Sequence, residues 1–68
     1  MRIRLDDLIG HRKIDYDLPA GSDIEALLHL LAYEEVDLFH TVNGRTKRYD
    51  FVLSEGDKVA LIPVMGGG

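Results

Sequence analysis

The sequence predicts an α+β fold in which one helix packs on one face of a mixed four- to five-stranded sheet, and three patterns predict it. Two period-2 runs joined by a short loop open the chain, a run with helical periodicity lies between residues 23 and 33, and an almost continuously apolar run occupies residues 58–64. With 68 residues, 46% of them apolar and 29% charged, the chain has room for one domain, which buries only about 60% of its unfolded surface. Residues 1–65 are expected to form that domain and residues 66–68 a flexible glycine tail.

Ile3 and Leu5 alternate with Arg2, Arg4 and Asp6; Ile14, Tyr16 and Leu18 alternate with Lys13, Asp15 and Asp17. Each run is a strand with one wet face. With Gly10 between them, residues 2–18 form a hairpin whose loop lies around Asp7 to Arg12. Pro19 ends the second strand. Ser22 and Glu25 have capping-box spacing, Asp23 adds negative charge to the first turn, and Ile24, Leu27, Leu28 and Leu31 repeat at i, i+3, i+4 and i+7. The pattern predicts a helix from about Asp23 to Tyr33 with this stripe toward the core. Glu25 and His29, on its outer face, are spaced for an i, i+4 pair.

Val36 to Val42 reads as a third strand that turns at Asn43-Gly44, a dipeptide that accepts the positive φ angles of a tight hairpin. Leu38, His40 and Val42 share one face and Phe39 and Thr41 the other; the alternation leaves both faces with an apolar claim. Arg45 to Tyr49 is expected to be a short fourth strand whose charges suit an edge. Ser54-Glu55-Gly56-Asp57 marks a turn. Lys58 to Val64 is then the last strand, in the middle of the sheet beside the first, with Val59 and Leu61 toward the helix and Ala60 and Ile62 away from it.

The chemistry these residues can perform by themselves is small. The chain has no cysteine, which removes disulfides, thiolate metal sites and a thiol nucleophile together. His11, His29 and His40 fall in a loop, a helix and a strand without metal-ligand spacing, so no metal site is expected. There is no nucleophile elbow, Ser22 and Ser54 are used by a cap and a turn, and the adjacent pairs Asp6/Asp7 and Glu34/Glu35 read as solvated carboxylates at element ends. No catalytic residue and no bound cofactor are expected. A net charge of −4 argues against nucleic acid as a partner. No apolar run is long enough for a signal peptide or a membrane span, so a cytoplasmic location is expected. The basic cluster Arg45, Lys47 and Arg48 has two readings, a solubilising edge or a contact for an acidic partner.

Three of the seven glycines are Gly66, Gly67 and Gly68. No helix follows them, so they do not cradle phosphate. They are read either as a frayed end or as a side-chain-free tether that carries the carboxylate of Gly68 into a narrow channel.

Leu18-Pro19-Ala20-Gly21-Ser22 before the helix, Val42-Asn43-Gly44 at the central turn, Leu53 with Glu55-Gly56-Asp57, and the stretch from Val59 to Gly68 occur in an order that resembles the ThiS/MoaD family of small sulfur-carrier proteins. These are relatives of ubiquitin with the β-grasp fold. The resemblance implies that Gly68 is adenylated at its carboxylate by an ATP-dependent, ubiquitin-activating-like enzyme and then converted to a thiocarboxylate with sulfur from a separate donor. It makes the chain a protein co-substrate, or the small subunit of a downstream synthase, and not a catalyst. Gly66 and Gly67 would thread into the activating enzyme. An apolar patch on the sheet face away from the helix would dock there, which by position means Ile62 and Val64, helped by Leu8 and Ile9 in the first loop and by Phe39 or Thr41. Leu8 and Ile9 have a second reading as local packing over the end of the core. The short first loop resembles ThiS, the carrier for thiamine thiazole. The run Val59-Ala60-Leu61-Ile62-Pro63 resembles MoaD, which serves molybdopterin, although Val64 stands where MoaD proteins often have a second proline. A ubiquitin-like modifier joined to lysines through its diglycine is the alternative that shares the same activation step.

Overall fold

The computed structural model describes residues 1–64. The expected boundary at residue 65 and the calls on Gly66, Gly67 and Gly68 lie outside the described residues. Strands β1 (Arg2–Asp7) and β2 (Arg12–Asp17) form the opening hairpin, helix α1 (Ile24–Leu30) follows, and β3 (Leu38–Val42) and β4 (Lys58–Pro63) complete one sheet. The strand order is β2-β1-β4-β3. The two central strands run parallel, with Leu5 opposite Val59 and Asp7 opposite Leu61, and each outer strand is antiparallel to its neighbour.

Period-2 alternation decides what is buried. Ile3 and Leu5 of β1, Val42 of β3, and Val59 and Leu61 of β4 meet Ile24, Leu27 and Leu28 of α1 in one core, closed by Leu18 and Leu53. Leu5, Leu27 and Leu61 have no exposed surface, and each contributes about 2 kcal/mol of burial. The two-faced third strand is settled the same way. His40 and Val42 are buried with Leu38 beside them, whereas Phe39 is 62% exposed. Asn43 and Gly44 both take positive φ, 52° and 84°, and Val42 and Arg45 exchange backbone hydrogen bonds across them, as a two-residue type I′ turn requires.

Around the helix and the segment after the central turn, the structure departs from the expected pattern in three places. Asp23, not Ser22, caps the helix: its side chain accepts from the Ala26 N–H at 2.8 Å, while the Ser22 hydroxyl donates back to the Pro19 carbonyl at 2.7 Å. His29 pairs with Glu34 at 2.6 Å in place of Glu25, because the chain reverses after the helix and brings Glu34 close. Arg45 to Tyr49 is not a strand. Only Arg45 bridges back to Val42, and the chain then crosses to the start of α1, where the carbonyls of Tyr49 and Phe51 accept from the N–H groups of Glu25 and Ile24. Those donors have no partner within a helix, so satisfying them outweighs extending an edge.

The helix ends at Leu31 in a motif that glycine usually completes. Ala32 has φ 60°, its N–H donates to His29, and the N–H of Tyr33 donates to Leu28, the bonding of a Schellman cap. A left-handed alanine costs about 1–2 kcal/mol, and its methyl is exposed. Replacing Ala32 with Gly should therefore raise thermal stability, by about 0.5 kcal/mol once the greater unfolded-state entropy of glycine is subtracted. A calorimetric melt that shows Ala32→Gly less stable than the parent would contradict this account of the helix end.

Candidate functional site

Alternation that buries one face of the sheet leaves the other open, and the register sorts the open face into rows. Phe39 lies opposite Ile62. Leu8, one residue past β1, donates its N–H to the Leu61 carbonyl at 3.0 Å, which extends the parallel pairing and sets Leu8 level with Ile62. Leu8–Ile62–Phe39 is thus one apolar row at the C-terminal end of β4, with Leu8 44% and Phe39 62% exposed. Val64, 41% exposed, follows beyond the strand, its N–H donating to Asp37. Thr41 lies opposite Ala60 in the neighbouring row, where Arg4, Asp6, Lys13 and Lys58 surround a shallow groove. Of the residues expected to form a docking patch, the fold brings Leu8, Ile62, Phe39 and Val64 together. Ile9 turns the other way and packs against the core.

The loop that carries Leu8 is built around Asp7. In β1 the alternation that buries Ile3 and Leu5 also buries Asp7, which has no exposed surface, so the reading of Asp6/Asp7 as a solvated pair is corrected. Asp7 Oδ1 accepts from the N–H groups of Ile9 at 3.0 Å and Gly10 at 2.8 Å; Oδ2 accepts from Arg12 Nε at 3.0 Å and from the Tyr33 hydroxyl at 2.8 Å. Burial pushes the carboxyl up, but the hydrogen bonds from Gly10, Tyr33, Arg12 and Ile9 outweigh it and hold Asp7 below the usual carboxylate range. Burial and the neighbouring carboxylate both push the Tyr33 hydroxyl up, so it stays protonated as the donor. Gly10 is required by space: a Cβ there would stand 2.7 Å from Asp7 Oδ2 and 3.0 Å from the Tyr33 hydroxyl.

Other candidates have structural partners. His40 is buried, with Nε2 bonded to the Lys47 carbonyl and its ring 4.9 Å from Tyr49. Arg48 pairs with Asp50, and Lys47 lies over the Phe51 ring. Among the described residues no group of three or more His, Asp or Glu side chains could hold a metal ion, and no helix is long and apolar enough to cross a membrane. The Asp7 cluster is saturated with donors and faces the core, so it has no lone pair free for a reacting molecule. The open face, by contrast, gathers exposed apolar side chains in one row.

The ThiS family matches the sequence over residues 5–68, a span that runs through the three glycines. Among curated proteins none matches significantly. Among solved structures, SAMP1 from Haloferax volcanii is similar at 17% identity over the whole of both chains, with a TM-score of 0.78. A putative molybdopterin converting factor subunit 1 from Pyrococcus furiosus is 21% identical over 93% of this chain and 98% of its own, with a TM-score of 0.77. A Caldiarchaeum subterraneum ubiquitin is 19% identical over 100% and 98%, with a TM-score of 0.71. At these identities the structures establish the ubiquitin-like β-grasp fold.

Asp7 gives the site a signature in acid. Its carboxyl is depressed in the folded state, so its stabilisation is complete above the unfolded value, about pH 4, and is lost as pH falls from there through the folded value. Asp7→Asn should be less stable than the parent by about 3 kcal/mol at neutral pH, since several donors lose a charged acceptor. Its stability should also fall less steeply below pH 4. Denaturant melts across that range measure both, and parallel acid slopes for the two proteins would rule the assignment out.

Proposed function

The chain belongs to the ThiS family, whose members are small carrier proteins rather than catalysts, and on that premise we propose that it is a sulfur carrier that reacts at the carboxylate of Gly68. The observation that carries the reading is the span of the family match, which includes Gly66, Gly67 and Gly68 and continues to residue 68. A carboxylate is a poor electrophile. Attack of its oxygen on the α-phosphorus of ATP, within a ubiquitin-activating-like enzyme, expels pyrophosphate and leaves an acyl adenylate. A sulfur nucleophile at the oxidation level of sulfide then adds at the acyl carbon and expels AMP, leaving the thiocarboxylate. ATP and the catalytic groups belong to the partner, and a downstream synthase consumes the sulfur in making molybdopterin or thiamine thiazole.

The folded body supplies recognition. Glycines without side chains suit Gly66 and Gly67 to a narrow channel. The row Leu8–Ile62–Phe39, with Val64, adjoins the end of β4 from which those glycines follow in sequence, and an apolar patch of this kind marks a protein contact. The same carboxylate joined to lysine amines is the alternative fate of the same adenylate. The modifier-like and ubiquitin-like structures are under 25% identical to this chain and so lend it no particular weight.

Incubated with a competent activating enzyme, ATP and a sulfur donor, the chain should gain the mass difference of one sulfur for one oxygen, read by intact mass spectrometry. An unchanged mass would refute the proposal, and Gly-Gly remnants on target lysines in the source cell would favour the modifier. Deletion of Gly68 should abolish the gain without unfolding the domain, because among the described residues the buried core runs from Ile3 to Leu61. Phe39→Asp should leave stability within about 0.5 kcal/mol, as for an exposed position, yet raise the KM of the activating enzyme for the carrier about ten-fold or more. An unchanged KM would remove Phe39 from the docking surface.

A further inference from the structure

Every lysine and arginine of the chain lies within residues 2–13 or 45–58. From Ile14 to Gly44 there is none, while Asp15, Asp17, Asp23, Glu25, Glu34, Glu35 and Asp37 occupy that stretch; Asp15 and Asp17, on β2, pair with Arg4 and Arg2. The fold turns this segregation into a side. α1 and the loop after it cover the sheet face opposite the Leu8–Ile62–Phe39 row, so the five acidic residues from Asp23 to Asp37 collect on the side away from that row. On that side a groove of about 320 Å³ runs between the helix, the loop after it and Tyr49. Leu28, Tyr33, Val36, Leu38 and Tyr49 form its apolar walls, and Glu25 and Glu34 complete them.

Three features distinguish this groove from incidental surface roughness. Two of its walls are anchored: the Tyr33 hydroxyl is tied to Asp7 at 2.8 Å and the Tyr49 ring centroid lies 4.9 Å from that of His40, which lowers the ordering cost for a ligand. Its apolar atoms are reachable, with Tyr49 54% and Val36 37% exposed. Its charge is of one sign. Among the described residues no lysine or arginine pairs with Glu25 or Glu34; Glu34 meets only the exposed His29, and nearby Arg48 is taken by Asp50. An apolar slot bordered by the carboxylates of Glu25 and Glu34, neither neutralised by a lysine or arginine, favours an apolar side chain flanked by cations and rejects one flanked by carboxylates.

We propose that this groove is a second docking surface, and that it receives a leucine-, phenylalanine- or tryptophan-sized side chain from a protein segment with arginine or lysine on either side of it. The surface lies on the opposite side of the sheet from the apolar row and uses none of its residues. A partner held here leaves that row available to an enzyme. The inference therefore stands whether the carboxylate of Gly68 is thiolated, conjugated or neither.

The test is a phage-displayed library of random peptides selected on the whole chain and counter-selected on a Glu25→Lys/Glu34→Lys variant. Both positions are exposed, and circular dichroism checks that the variant folds. The proposal expects enriched peptides with one large apolar residue between basic ones. One such synthetic peptide should shift the amide resonances of Leu28, Val36, Leu38 and Tyr49 and leave Phe39 and Ile62 in place. Its affinity should fall about ten-fold in Glu25→Lys, and again between low salt and 1 M salt, where the Debye length is about 3 Å. No enrichment over the variant, enriched peptides without basic residues, or shifts centred on Phe39 and Ile62 would each overturn it.

Discussion

A carboxylate without exposed surface sits at the end of the first central strand, and the arrangement of the molecule around it follows from keeping that charge satisfied. Burying an ionised group unpaired is prohibitive, so Asp7 can stay only if the chain brings donors to it. Two come from the loop that follows, one from the strand across the hairpin, and one from Tyr33 beyond the helix. Each donor fixes something else. Ile9 and Gly10 set the shape of the hairpin loop, Arg12 fixes where β2 begins, and Tyr33 ties the exit of α1 to the sheet it covers. A loop shaped in this way also places Leu8 beside Ile62, so a buried charge on one face defines an apolar row on the other.

Parallel pairing of β1 with β4 is the second constraint, and it separates body from tail. Parallel strands are stable where both faces and both edges are covered, and here β2 and β3 flank the pair while α1 covers one face. β4 is thereby paired along both edges, and its sequence leads through Val64 and Met65 to the glycines. The proposed division of labour follows. In it the body offers shape and charge to partner enzymes, and those enzymes supply the catalytic groups that act on the carboxylate of Gly68.

Much of this was legible in the sequence because it rests on periodicity and on turn chemistry. Ile3, Leu5, Val59 and Leu61 alternate cleanly, Ile24, Leu27 and Leu28 repeat at helical spacing, and Asn43-Gly44 has few other uses. What was not legible depends on partners distant in the chain. Asp7 continues the buried alternation of Ile3 and Leu5, a signal in plain view, but its residue type argued for solvent; its burial depends on a set of donors completed by Tyr33, 26 positions away. Ser22 has the spacing of a cap, and its loss to Asp23 turns on the Pro19 carbonyl that captures its hydroxyl. Arg45 to Tyr49 has the composition of an edge strand, yet Tyr49 and Phe51 are drawn to the orphan donors of α1. The apolar row needed the strand register, since Leu8, Phe39 and Ile62 are far apart in sequence.

The central claim is that the Asp7 carboxylate makes the hairpin loop part of the cooperative core. Native-state hydrogen exchange tests it most directly. The account predicts that the amides of Ile9 and Gly10, though they lie in a loop, exchange as slowly as those of Leu5, Val59 and Leu61, through the same global opening. Exchange at Ile9 and Gly10 as fast as at Glu35 and Asp50, with the strands still protected, would contradict it.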